Sequence, residues 1–206
     1  MEYHKSLTNV LESISIGKRS MIAVWDIDNT LFTTPSNKLT IRVLDKKDNV
    51  VDSYTTQEYA EVTEAQKRSI LASGKRFDFK DFAKSSIFKK YAAPIVQNIR
   101  MAWTEYDDPN YFFMVLTARG DMDDVKLFLS HFQSYGLNMD RRGKSHIVRA
   151  GTIGLPKHEI MAAVLKENKN ILTIKFYDDS SEEIRNFKHI RRDFPKTTFY
   201  ANGDRV

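Results

Sequence analysis

The chain has 206 residues, of which 41% are hydrophobic and 29% charged, with a net charge of +5 and no cysteine. This length suits one domain, or one domain with a small insert, and the lack of cysteine excludes disulfides, thiolate metal sites and cysteine nucleophiles. No apolar run approaches the roughly 20 residues that span a bilayer, and residues 1–20 lack the apolar core of a signal peptide. We therefore expect a soluble, cytoplasmic protein with no membrane partner.

The first predicted strand, Met21–Trp25, follows a short helix expected at residues 4–15. It is uncharged and rich in β-branched and aromatic residues, which indicates a buried strand of a parallel sheet. Asp26 and Asp28 follow at once, within the sequence Asp-Ile-Asp-Asn-Thr. A buried carboxylate needs a partner or a metal, and open α/β sheets bind ligands beyond the carboxyl ends of their strands. Asp and Asn also begin ordinary turns, so this segment alone leaves a site and a turn open.

The next stretch, residues 33–87, interrupts the β/α pattern. Thr40–Leu44 and Val50–Thr55 flank a polar loop and predict a hairpin. A polar helical segment follows, and residues 77–82 then alternate apolar and polar side chains, which fits either a strand or a loop that docks its rings. Pro94, inside a helical region at residues 87–103, predicts a first helical turn or a kink. We interpret residues 33–87 as an insert in a larger domain.

Two further strands are predicted at residues 111–116 and 171–177, and they also end in polar side chains. Thr117 and Arg119 follow the first, and Asp178 and Asp179 follow the second. Helices are predicted at residues 121–134, 157–166 and 182–192, the second opening with Lys157, and a last strand is predicted at residues 196–200. This alternation predicts an α/β fold: a Rossmann-like parallel sheet with helices on both faces.

The order and type of these polar residues resemble the four motifs of the haloacid dehalogenase-like (HAD) phosphohydrolase superfamily over about residues 21–200. Residues 26–30 match its D-x-D-x-T motif, Thr117 its strand-end Thr/Ser, and residues 178–179 its paired acids. Lys157 matches its basic residue, although Lys144 also lies between the flanking motifs. The resemblance implies a HAD-like catalytic core of residues 1–32 and 88–206. It makes residues 33–87 a small cap, which leaves the site open to a large substrate, or to a small one if subunits pair.

The resemblance also implies a reaction and the role of each residue. Asp26 is the expected nucleophile, forming an aspartyl-phosphate, and Asp28 the general acid and base, whose presence favours a phosphatase over a dehalogenase. Thr117 and Lys157 are expected to bind the transferring phosphoryl group, and Arg119 either binds substrate or is solvated. The implied cofactor is Mg²⁺, a cation that prefers oxygen ligands. The expected metal set is Asp26, Asp28, Asp178 and Asp179.

The substrate is less closely defined by the sequence than the reaction. Residues 157–188 also resemble, more weakly, the phosphatase parts of polynucleotide end-healing and RNA-repair enzymes. With the positive net charge, this favours a nucleotide or a nucleic-acid terminal phosphate as substrate. The basic clusters at residues 141–144 and 188–192 are either solvated faces or a track for a phosphate backbone. The alternatives are a non-catalytic HAD-like module that binds phosphate or protein, and a phosphatase of another small phosphoester. The sequence leaves the oligomeric state open.

Overall fold

The structure, a computed structural model, describes residues 6–14, 16–139 and 144–206. Their contacts divide the chain into two compact units. The first, the sheet unit, comprises the described residues of Met1–Thr33, Ala93–Asp121 and Leu129–Val206. The second, the insert unit, comprises Thr34–Ala92 and Met122–Phe128. The observed insert unit thus ends later than the residues 33–87 that we interpret as a cap, and it takes in a second short segment.

The elements alternate along much of the chain. The strands are β1 (Met21–Trp25), β2 (Phe32–Thr33), β3 (Thr40–Leu44), β4 (Val50–Thr55), β5 (Arg76–Asp78), β6 (Ala93–Pro94), β7 (Tyr111–Thr117), β8 (Ser145–Arg149), β9 (Thr173–Tyr177), β10 (Thr198–Ala201) and β11 (Asp204–Arg205). The helices are α1 (Leu7–Ser13), α2 (Thr56–Glu61), α3 (Glu64–Ala72), α4 (Ser85–Tyr91), α5 (Val96–Asp107), α6 (Val125–Gln133), α7 (Ala150–Ile153), α8 (Lys157–Glu167) and α9 (Ser181–Ile190).

A six-stranded sheet with the order β11-β10-β9-β1-β7-β8 forms the centre of the sheet unit. Neighbouring strands from β10 to β8 run parallel, and only β11 at the edge is antiparallel to its neighbour. Parallel neighbours cannot be joined by a tight hairpin. The chain connects them through longer crossovers that contain helices. The prediction of an α/β fold with a mostly parallel sheet is confirmed.

Helices cover both faces of the sheet, and the alternating side chains of β1 contact them on each face. Ile22 and Val24 belong to a core cluster that also contains Ile160 of α8 and Phe187 of α9. Trp25 points to the other face, where its indole N–H donates to Glu105 of α5. A strand buried on both faces has to be apolar throughout, which explains the uninterrupted run in β1.

The structure resolves the role of Pro94, which the sequence left as a helical turn or a kink. Helix α4 ends at Tyr91 and α5 begins at Val96, and Pro94 lies between them in β6, opposite Phe32 of β2. Proline lacks an N–H and is tolerated in such a short pairing. The predicted helix at residues 87–103 is therefore two helices separated by a strand.

In the insert unit, β4, β3 and β5 form an antiparallel sheet. Strands β3 and β4 are the predicted hairpin, with the predicted bounds. Asp45 closes its turn by accepting from the backbone N–H groups of Lys47 and Asn49, at 2.7 and 2.9 Å. The alternating segment at residues 77–82 is part strand and part 3-10 turn, and its Phe77 and Phe79 rings contact the ring of Tyr59.

Candidate active site

Three central strands of the sheet unit end at one edge, and each delivers a polar residue there. In the sheet, β1 lies between β7 and β9, with Trp25 opposite Val115 on one side and Tyr177 on the other. Asp26 and Asp178 directly follow the two strands that end in register, and Thr117 ends β7. All three of these polar residues are at least 95% buried.

Lys157 joins the two buried carboxylates. Its Nζ lies 2.6 Å from Asp26 Oδ1 and 2.7 Å from Asp178 Oδ2. Pro156 is the N-cap of α8, and Lys157, the first residue of the helix, brings its ammonium group to the sheet edge. Lys144, the alternative basic residue, instead precedes β8 at the other end of the strands, with its Nζ 4.5 Å from the ring centroid of Tyr106. Of the two lysines considered, Lys157 is therefore the one in contact with the carboxylates.

Burial and charge change the protonation of this group. Burial raises the pKa of Asp26 to about 7; the Lys157 ammonium opposes this rise, and the charges of Asp178 and Asp28 add to it. For Lys157 the two carboxylates outweigh the opposing effect of burial, so its pKa lies above its ordinary value. Partial loss of hydration, followed by the charge of Asp178, also raises the pKa of Asp179, although this residue is exposed at the surface. The raised pKa values show that loss of hydration and repulsion among the carboxylates together outweigh the opposing effect of Lys157.

Asp26, Asp178 and Asp179 each bring a carboxylate oxygen to within 4.8 Å of the other two. The backbone N–H of Asp179 donates to Thr30 Oγ1 at 3.1 Å, which ties the loop after β9 to the loop after β1. Lys157 contacts Asp26 and Asp178, and with all three carboxylates ionised the cluster and this ammonium group together carry a charge of −2. Close oxygen ligands with a surplus charge of −2 are suited to a hard divalent cation.

Asp28 is held apart from this cluster by Arg119. The guanidinium Nε and Nη2 of Arg119 donate to the two carboxylate oxygens of Asp28 at 2.8 and 2.6 Å. Such a fork fixes the orientation of both planar groups. Arg119 is itself 97% buried, so it is not the solvated arginine considered as one alternative. The Asp28 side chain lies on Arg119, and its role as a metal ligand stays a prediction.

Thr117 and Gly151 shape the loop that carries Arg119. Thr117 Oγ1 accepts from the Arg119 backbone N–H at 3.2 Å. Gly151 in α7 approaches this loop so closely that an added Cβ would lie 2.3 Å from the carbonyl oxygen of Ala118. Only glycine permits this approach of helix and loop without a shift of backbone.

We expect Gly151→Ala to lower the free energy of unfolding by about 1 to 3 kcal/mol, the usual range for an overpacked site. The matched control is Gly120→Ala, because its added methyl group meets no atom within 4 Å. Denaturant unfolding of both variants measures the difference and cancels the entropy that alanine removes from the unfolded chain. Equal stability of the two variants would show that the loop shifts to accommodate the added methyl group without loss of stability.

Asn202 is a site residue that the sequence analysis missed. Its side chain accepts from the backbone N–H of Asp178 and donates to the carbonyl oxygen of the same residue, both at 3.1 Å. Asn202 has φ 50°, and it begins the turn between β10 and β11. The Asn-Gly pair at residues 202–203 is a hairpin signal, but nothing in the sequence indicates that its side chain reaches Asp178.

Three residues of the basic clusters, Lys144, Arg191 and Arg192, lie away from the carboxylates. Arg141 and Arg142 lie outside the described residues, and Lys144 precedes β8. Arg191 and Arg192 line a cavity with Thr198, the first residue of β10. Thr198 pairs with Thr173 at the start of β9, whereas Asp178 follows the end of β9. Lys144, Arg191 and Arg192 therefore do not share the sheet edge of Asp178, whereas His189 of the second cluster lines a cavity with His158, the residue after Lys157.

No protein-family model matches the chain, and no curated protein matches it. Within the described residues, no helix has both the length and the apolar character required to cross a membrane.

Proposed function

We propose that this protein is a Mg²⁺-dependent phosphomonoester hydrolase of the HAD-like type that acts through an aspartyl-phosphate. The observation that carries the proposal is the contact of Lys157 with both Asp26 and Asp178 at the carboxyl edge of a parallel sheet. A nucleophilic carboxylate, a phosphate-binding cation and metal-binding acids are the parts that phosphoryl transfer to a carboxylate requires.

The residues suited to hold the metal are Asp26, Asp178 and Asp179. Their oxygens lie close together, and they carry more negative charge than Lys157 balances. Magnesium is commonly held by one or two carboxylates together with substrate oxygens and waters. The ion, when bound, would neutralise the charge that otherwise keeps a phosphate dianion away from a carboxylate.

In the proposed reaction, an oxygen of Asp26 attacks phosphorus while the bond from phosphorus to the leaving oxygen breaks. Asp28 gives its proton to that oxygen and then accepts a proton from water, which attacks the aspartyl-phosphate and regenerates Asp26. The Arg119 fork orients the ionised Asp28 for accepting the proton from water, and for the first transfer one oxygen of Asp28 has to leave the fork and carry the proton. Lys157 has three N–H donors, of which two point to carboxylates, so the third is available for a phosphoryl oxygen.

The preferred substrate is a nucleotide or a nucleic-acid terminal phosphate, on the strength of the positive net charge and the sequence resemblance. The position of Lys144, Arg191 and Arg192 away from the carboxylate edge argues against a long backbone track through these residues. Without such a track, the protein would recognise the preferred substrate through contacts close to its phosphate and its terminal nucleoside.

Phosphate release in the presence of Mg²⁺, measured over a panel of phosphoesters, tests the proposal. The panel contains 5′- and 3′-nucleoside monophosphates, oligonucleotides phosphorylated at either end, sugar phosphates and a generic aryl phosphate. We expect the nucleotide and oligonucleotide substrates to have a kcat/KM at least about tenfold above that of the sugar phosphates, about 1.4 kcal/mol of transition-state binding. A preference for sugar phosphates would indicate another small phosphoester, and inactivity throughout would indicate a non-catalytic binding module.

A further inference from the structure

Glu105 on α5 joins the two strands that carry the carboxylates, at the residue directly before each carboxylate. Its Oε2 accepts from the indole N–H of Trp25 at 2.8 Å. Its Oε1 accepts from the hydroxyl of Tyr177 at 2.8 Å and from Nζ of Lys175 at 3.0 Å. Trp25 precedes Asp26, and Tyr177 precedes Asp178.

The rings of Trp25 and Tyr177 reinforce this connection. The two residues are partners in the β1–β9 register, and their rings stack with centroids 3.8 Å apart and an angle of 14° between their planes. The backbone N–H of Asp26 also donates to the carbonyl oxygen of Tyr177 at 2.9 Å. Glu105 therefore holds a rigid pair of rings whose backbones lead directly into the two carboxylates.

Without these three donors, a carboxylate at the position of Glu105 would be energetically unfavourable. It is 94% buried in the last turn of α5. Burial penalises an unpaired carboxylate, and the partial negative charge at a helix C-terminus repels it. A hydrocarbon side chain would avoid both penalties but would leave the three donors without their acceptor, so the acid serves its contacts with β1 and β9 rather than α5 itself.

We propose that Glu105 is a positioning residue that sets the separation and orientation of Asp26 and Asp178 for metal binding. This inference rests on the proposed function. Backbone pairing alone leaves neighbouring strand ends some freedom to twist, and a site of this kind tolerates only about 0.5 Å of displacement. A single carboxylate that grips both strands one residue before the ligands restrains that movement.

Glu105→Gln tests the inference with almost no change in volume. In the parent, three donors bond to the two carboxylate oxygens of Glu105. The amide has only one acceptor oxygen, and its NH₂ group, itself a donor, would face one of the three donors. We expect the affinity for Mg²⁺, measured by calorimetry, to fall about tenfold or more, the lower end of the range for groups that orient metal ligands. Tyr177→Phe, which removes one donor and keeps the stacked ring, should give a smaller loss in the same direction.

Tyr106→Phe is the matched control, because Tyr106 is the next residue of α5 and its hydroxyl donates to the carbonyl oxygen of Asn138 at 3.0 Å. It removes one hydrogen bond from the same helix at a place remote from the carboxylates. Comparing the melting temperatures of all three variants separates lost stability from lost positioning. If Glu105→Gln does not fold, comparing the Mg²⁺ affinity of Tyr177→Phe with that of Tyr106→Phe tests the inference by itself.

Weaker Mg²⁺ binding in the Glu105 and Tyr177 variants, with the parental affinity kept in Tyr106→Phe, supports the inference. Equal affinities in all three variants overturn it while leaving the proposed function intact. A parent protein that binds no Mg²⁺ overturns the proposed function, and the positioning role of Glu105 fails with it.

Discussion

Asp26→Asn is expected to abolish turnover while the fold remains. The amide keeps the size and shape of the carboxylate but is a poor nucleophile for phosphorus. Loss of a covalent nucleophile lowers kcat by on the order of a millionfold in well-studied enzymes. Burial penalises the charge of Asp26, as its raised pKa shows, so removing that charge should not destabilise the protein by itself.

Two measurements check this expectation. Steady-state phosphate release gives the loss of kcat, and acid quenching after incubation with a radiolabelled substrate shows whether the label stays on the protein. The parent should retain label and Asp26→Asn should not. Asp193→Asn, an exposed acid in the 3-10 turn after α9, serves as the control for the chemical change alone. A folded Asp26→Asn that keeps a few percent of parental turnover would place the nucleophile elsewhere.

The accuracy of the strand predictions follows from how completely each strand is buried. Strand β1 has the predicted bounds, because an uncharged run buried on both faces begins and ends at polar residues. Strand β9 begins two residues later than predicted: Leu172 is 55% exposed, so the apolar run continues outside the sheet. Strand β8 was missed because Ser145, His146 and Arg149 interrupt any apolar pattern at its edge position.

The positions of the main site residues could be predicted, because parallel strands end at one edge. Asp26 and Asp178 follow their strands and Thr117 ends its strand, and the three strands are neighbours in the sheet. The position of Lys157 beside two of them could be predicted because Pro156 and an acidic first turn mark the start of its helix. Their arrangement at one edge is observed, and their roles in catalysis stay predictions.

The side-chain pairs within the site could not be predicted, because they join distant parts of the chain. The Asp28–Arg119 fork spans 91 residues, and the hydrogen bond from Trp25 to Glu105 spans 80. Periodicity and turn signals act over a few residues and carry no information on such contacts. Glu105 in particular looks in sequence like any acid on a partly exposed helix.

Removal of divalent metal is the second change with a large expected effect. Exhaustive chelation should abolish turnover, and added Mg²⁺ should restore it, because three carboxylates lie close together and, within the described residues, only Asp26 and Asp178 among them contact an ammonium group. Calcium should bind and inhibit, since its longer and more numerous bonds disturb the geometry of the reacting groups. Full turnover after chelation would contradict both the metal and the assignment of its ligands.

A binding measurement makes this prediction independent of any substrate. A ligand at 100 times its dissociation constant stabilises the folded state by about 2.7 kcal/mol, so Mg²⁺ should raise the melting temperature of the parent by several degrees. Asp178→Asn should reduce this shift, because it removes one of the two buried ligands while its amide still accepts a hydrogen bond from Lys157. Asp193→Asn again provides the control and should show the parental shift. A shift of parental size in Asp178→Asn would mean that the ion binds elsewhere on the protein, and the carboxylate cluster at the ends of β1 and β9 would then need another explanation.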